Sequence, residues 1–73
     1  MTQAPTVLVV DDDHAIRELL AEYFEKNGLR TRTAADGRST RAILAQERVD
    51  LIVLDLMLPD EEGLSICRDL RAS

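Results

Sequence analysis

Three consecutive aspartates, Asp11, Asp12 and Asp13, and a fourth, Asp55, follow directly on short apolar runs: V7-L-V-V10 before the first three and L51-I-V-L54 before the last. Carboxylates offer two kinds of chemistry in such places. Brought together, they hold a hard divalent cation through oxygen, and a compact, partly hydrated octahedral site suits Mg2+. Singly, a carboxylate in a fixed position can attack a phosphoryl group and become an acyl phosphate. Negative charges gathered at one point repel one another unless a cation sits among them. The expectation is therefore a Mg2+ site at Asp11, Asp12 and Asp55. Asp55 is also the best nucleophile candidate, because the apolar run before it reads as the most buried strand. A structural reading stands beside each, since loops that leave strands often open with Asp. Asp13 reads as a helix N-cap, and His14 as a solvated residue of the first turn. Cys67 reads as packing on the core side of the last helix, and Arg38, Arg41 and Arg48 as a solvated helix face.

What must position these residues is an alternation of strands and helices. Short β-branched runs mark strands at about 6–11, 29–34 and 50–55. Between and after them, helices are expected at about 14–27, 37–48 and 63–72. Ile16, Leu19, Leu20, Tyr23 and Phe24 fall on one face of the first helix, and Asn27-Gly28 marks its end. Thr31 and Thr33 alternate with Arg30 and Arg32, as in an edge strand with one wet face. V49-D-L-I-V-L54 is apolar on both faces, as in a parallel strand covered by helices. Leu64, Cys67 and Leu70 share one side of the last helix. The βαβαβα order implies one α/β domain over residues 1–73, built on a parallel sheet with right-handed crossovers. Ligands of such sheets bind beyond the carboxyl ends of the strands, where the strand order reverses. Asp11, Asp12 and Asp55 would lie there if their strands are neighbours.

Bulk properties narrow the function classes. With 14 acidic against 9 basic residues, the net charge is −5, which argues against direct nucleic-acid contact or an anionic membrane surface. No apolar run approaches the ~20 residues of a membrane span. M1-T-Q-A-P-T6 lacks the basic and apolar regions of a secretory signal. A single cysteine forms no internal disulfide, so a cytoplasmic setting is expected.

Taken together, V9-V-D-D-D13 and D55-L-M-L-P-D-E-E-G63 resemble the two acidic motifs of the receiver domain of bacterial two-component response regulators. L54-D-L-M-L-P59 followed by G63-L-S-I-C-R68 looks closest to the OmpR-type transcriptional regulators. The resemblance implies a doubly wound, flavodoxin-like fold. It also implies that Asp55 accepts a phosphoryl group from a phosphohistidine on a sensor histidine kinase. Asp12 would then ligate Mg2+ directly, Asp11 mainly through water, and Met57 through its backbone carbonyl. Such a module is a stoichiometric phosphoacceptor rather than an enzyme, and it would reach DNA only through an output domain outside this chain. Asp60 and Glu62 depart from the Gly and Asp usual in that loop.

A receiver of this family orders five strands 2-1-3-4-5. The elements here correspond to strands 2-1-3, with strands 4 and 5 and their Thr or Ser and Lys missing, so an N-terminal part of a receiver is expected. The strand at 50–55 would then have an open edge, and unpaired edges template association. A homo-oligomer through that edge is expected, and a chemically inactive, self-associating half-domain is the alternative reading. A Mg2+-dependent aspartyl phosphohydrolase is disfavoured, because Met57 stands where such enzymes usually carry a second acid. A Rossmann-type nucleotide site is disfavoured too, since D11-D-D13 occupies the turn that a glycine-rich loop would need.

Overall fold

The computed structural model describes residues 4–72. The stretch M1-T-Q-A-P-T6 lies partly outside them. The elements are β1 (Thr6–Val10), α1 (His14–Lys26), β2 (Arg30–Ala34), α2 (Gly37–Gln46), β3 (Leu51–Leu54) and α3 (Gly63–Ala72). The strands form one parallel sheet in the order β2-β1-β3. Val7 pairs with Thr31 and Leu51, and Val10 with Ala34 and Leu54.

Side chains alternate between the faces of a strand, so β1 feeds two apolar layers. Leu8 and Val10 join Ala34 in a core closed by Ile43, Leu44, Val49, Ile52, Leu54 and Leu58. Val7 and Val9 point to the opposite face and are also buried. The most buried strand is therefore β1, not β3 as its sequence suggested. β1 has a neighbour on each edge, whereas β3 pairs with β1 alone among the described strands. Leu51 is 53% exposed, and Ile52, Val53 and Leu54 are half-buried.

Asp13 caps α1 by accepting from the N–H groups of Ala15 and Ile16. The helix ends at Asn27, and Gly28 follows with φ of 81°, the left-handed conformation that glycine adopts without strain. The inward face of α1 is Arg17, Leu20, Ala21 and Phe24, all half-buried. Ile16, Leu19 and Tyr23 stay exposed, so the apolar stripe is wider than the face that packs.

In α3 the inward residues are Gly63 and Ile66. Cys67 is exposed, and so are Leu64 and Leu70, which corrects the expected core side. Ile66 borders a cavity of about 220 Å³ with Leu44 and Ala45 of α2, so contact with α2 selects the face that turns inward. Among the described residues no helix is long and apolar enough to cross a membrane.

Candidate metal centre

The parallel ladder runs one step past the strands and fixes the acidic residues. Asp11 donates its N–H to the Ala34 carbonyl at 3.1 Å, and Asp55 donates to the Val10 carbonyl at 2.9 Å. Because Val10 and Leu54 are partners in register, the next residues of their chains, Asp11 and Asp55, emerge side by side. One carboxylate oxygen each from Asp11, Asp12 and Asp55 lies within 4.8 Å of the others. Asp11 and Asp55 are half-buried, and Asp12 is exposed.

These donors fit a small hard cation. Oxygens about 2.1 Å from Mg2+ stand roughly 3 to 4 Å apart around an octahedron, with water filling the remaining positions. A modest closure of the three side chains meets that spacing.

The two half-buried carboxylates are each held in rotation by a backbone N–H. Asp11 Oδ1 accepts from Asp13 at 2.9 Å, and Asp55 Oδ1 accepts from Met57 at 3.0 Å. Asp13 stands apart from the trio, with its carboxylate committed to the helix cap. The β1–α1 turn has a further fastening. Arg17 Nη1 donates to the Asp11 carbonyl at 2.8 Å, while its Nη2 lies 3.2 Å from His14 Nδ1. His14 Nε2 lies 2.9 Å from Glu18, so the histidine is part of an exposed helical pair.

The loop after Asp55 folds back on itself. Met57 and Glu62 form an antiparallel bridge, and Gly63 donates to the Leu56 carbonyl at 2.8 Å. Gly63 is needed there because a Cβ would run into the Asp55 carbonyl. The Met57 side chain is exposed, and its backbone stands at the mouth of this hairpin, beside Asp55.

Charged groups fasten the loop to α2. Asp60 accepts from the N–H groups of Gly37 at 2.7 Å and Arg38 at 3.0 Å. These backbone donors, Gly37 first, lower the Asp60 pKa below the ordinary carboxylate range. Arg41 grips Glu61 with two hydrogen bonds, of 3.1 and 2.8 Å, and reaches Asp69 of α3 at 2.8 Å. The Arg41 bonds, followed by one from Ser65, likewise hold Glu61 below its ordinary value. Arg41 is exposed, as expected for a solvated face, and it is also a junction between loop, α2 and α3. Asp60 adopts no positive φ, so it carries no cost of the kind that a glycine would avoid.

Arg17, Asp60 and the Arg41–Glu61 pair are site-supporting residues that pattern reading missed. For Arg17 a signal existed: a lone cation on the otherwise apolar inner face of a helix. For the loop acids no local signal exists, because their partners lie twenty or more residues away.

Comparison with known proteins agrees with this arrangement. A sequence model described as "Response regulator receiver domain" matches residues 7–73. The transcriptional regulatory protein GltR of Pseudomonas aeruginosa is 45% identical over 67 residues, which is 92% of this chain and 28% of that protein. The receiver domain of a Francisella response regulator superposes with a TM-score of 0.88 at 38% identity, covering 93% of this chain and 56% of that one. The response regulator TrrA of Thermotoga maritima, solved in complex with Mg(2+)-BeF, has a TM-score of 0.88 at 34% identity over 93% of this chain and 59% of its own. The chain thus spans just over a quarter of the length of the curated relative and somewhat more than half of these solved receivers.

Proposed function

The chain belongs to the response regulator receiver family, and on that premise we propose that it is a phosphoacceptor module of a two-component system, with Asp55 as the residue phosphorylated. The observation that carries this reading is the convergence of Asp11, Asp12 and Asp55 within 4.8 Å at the carboxyl ends of β1 and β3. In the proposed roles, Asp12 ligates Mg2+ directly, Asp11 mainly through water, and the Met57 carbonyl completes the protein's share. Mg2+ held there would offset negative charge on the phosphoryl oxygens.

The Asp55 carboxylate attacks the phosphorus of a phosphohistidine on a sensor histidine kinase. A P–O bond forms as the P–N bond breaks, and the released imidazole takes up a proton. The Met57 N–H on Oδ1 restricts the attacking carboxylate to one rotation. The exchange is one phosphoryl group per chain, a transfer rather than an enzymatic turnover. The likeness to GltR, a transcriptional regulatory protein, supports an output through DNA by a part of the protein outside these residues. The reading puts the module in the cytoplasm. It also treats the edge of β3 that has no partner among the described strands as a surface for pairing with a second copy of the chain.

The test is incubation with Mg2+ and a small acyl phosphate or phosphoramidate donor, followed by intact-mass measurement. The expected product carries one phosphoryl group, labile to hydroxylamine, and is absent from Asp55→Asn. Uptake that persists in Asp55→Asn, or no uptake by the wild-type chain, would overturn the assignment. Release of many equivalents of phosphate from a phosphomonoester would favour the hydrolase instead.

A further inference from the structure

We propose that Asp60 is a positioning residue for the metal centre: seated on the first N–H groups of α2, it clasps the loop that presents the Met57 backbone to the cation. This rests on reading Asp11, Asp12 and Asp55 as that centre, and it adds a residue distant from the three.

The first turn of a helix exposes four N–H groups with no partner inside the helix. In α2 those of Gly37, Arg38 and Ser39 are satisfied by two different aspartates. Asp36, the local cap, takes Ser39 through its side chain at 2.8 Å, while its carbonyl accepts the first i→i−4 bond of the helix from Thr40 at 3.2 Å. Asp60, from the loop after β3, takes Gly37 and Arg38. The second pair is tertiary, so the helix start and the loop are one mechanical unit. Removing Asp60 leaves the N–H of buried Gly37 without that partner.

The neighbouring residue repeats the fastening one turn along, where Arg41 holds Glu61. Glycine at residue 37 leaves room for the Glu61 side chain, which a Cβ at that position would meet. The far end of the hairpin is closed by the Met57–Glu62 bridge and by the Gly63 N–H on the Leu56 carbonyl. Only Leu58 and Pro59 separate Met57 from the clasp. On this reading, freedom gained at Asp60 reaches Met57 across those two residues. Supporting residues of this kind typically change metal affinity although they never touch the ion.

The experiment compares amide NMR spectra of the full chain with those of Asp60→Asn and Asp60→Gly. Glu62→Gln serves as the control, because it removes one charge from the same loop without touching the clasp. In the wild type, the Gly37 and Arg38 amides are expected to be protected from exchange and Met57 to be as ordered as β3. In both Asp60 variants that protection falls, and Met57 becomes mobile on the nanosecond scale. Mg2+ affinity, read from shifts at Asp11, Asp12 and Asp55, weakens by about tenfold, whereas Glu62→Gln changes it far less.

Asp60→Asn is the milder variant, and dispersion elsewhere in its spectrum reports whether the fold survives. Unchanged order at Met57 in a folded Asp60→Asn would overturn the proposal. So would an equal loss of affinity in Glu62→Gln, which would reduce the effect to net charge. If the wild-type chain shows no site-specific Mg2+ shifts, the reading of the centre fails instead. Gly37 protection and Met57 order still decide whether the clasp exists.

Discussion

The sharpest consequence of the acidic trio is that removing one of its charges should stabilise the metal-free chain. Asp12 is the side chain to change, because among the described residues it is exposed and makes no hydrogen bond or ion pair, so Asp12→Asn alters charge alone. Its oxygen lies within 4.8 Å of those of Asp11 and Asp55. At that outer limit each like-charge pair costs about 0.9 kcal/mol in water. With a screening length of about 8 Å near physiological salt, roughly half of that survives. Asp11 and Asp12 are neighbours in the unfolded chain too, so the repulsion that folding adds is that with Asp55, and the gain is about 0.5 kcal/mol, rising to about 0.8 kcal/mol at low salt. For 73 residues, an unfolding entropy near 2.1 cal/mol/K per residue turns about 0.5 kcal/mol into a rise in Tm of roughly 3 °C.

Mg2+ should reverse the ranking. At ten times its dissociation constant a ligand specific to the folded state adds about 1.4 kcal/mol. The wild type should collect that gain, and Asp12→Asn little of it. The assay is thermal unfolding by circular dichroism in chelator and in Mg2+, each at low and high salt. Two results would refute the reasoning: Asp12→Asn melting at or below wild type in chelator at low salt, or Mg2+ raising both proteins equally.

Leu8, fully buried in the central strand, should lose about 2–5 kcal/mol on substitution by Ala, and urea titration should find Leu8→Ala largely unfolded in a domain this small. Asp60 and Glu61 have depressed pKa values in the folded chain. Their ionised forms therefore contribute stability above the ordinary carboxylate range, and it is lost as pH falls through the lowered folded-state values. Urea midpoints measured down that range should drop in the wild type and change less in the Asp60→Asn, Glu61→Gln double variant. If the β3 edge that has no partner among the described strands pairs two copies, as proposed, sedimentation equilibrium should show concentration-dependent association of the wild type, reduced by Leu51→Lys, which puts a charge on that strand. A monomeric wild type at high concentration would remove the edge from consideration.

Local pattern was enough to read the alternation of strands and helices and a parallel sheet, while its 2-1-3 order followed only from the family resemblance. β-branched runs, helical spacing and the Asp13 cap all act within a few residues, and the βαβ connection constrains how successive strands pair. The position of Asp11, Asp12 and Asp55 at strand ends was legible for the same reason. Their convergence was conditional on β1 lying beside β3, which hydrogen bonding between distant segments decides. Relative burial was equally beyond the sequence. L51-I-V-L54 is as apolar as V7-L-V-V10, yet among the described strands β1 alone has neighbours on both edges. In α3 the residues Leu64, Ile66, Cys67 and Leu70 offer two candidate faces, and contact with α2 turned Ile66 inward and left Cys67 in solvent. Asp60, judged by its loop alone, was a departure with no purpose. Its purpose lies in two N–H groups more than twenty residues away, which only folding brings within 3 Å. Sequence determines what each segment can form by itself, and tertiary structure determines which charged and polar groups then find each other.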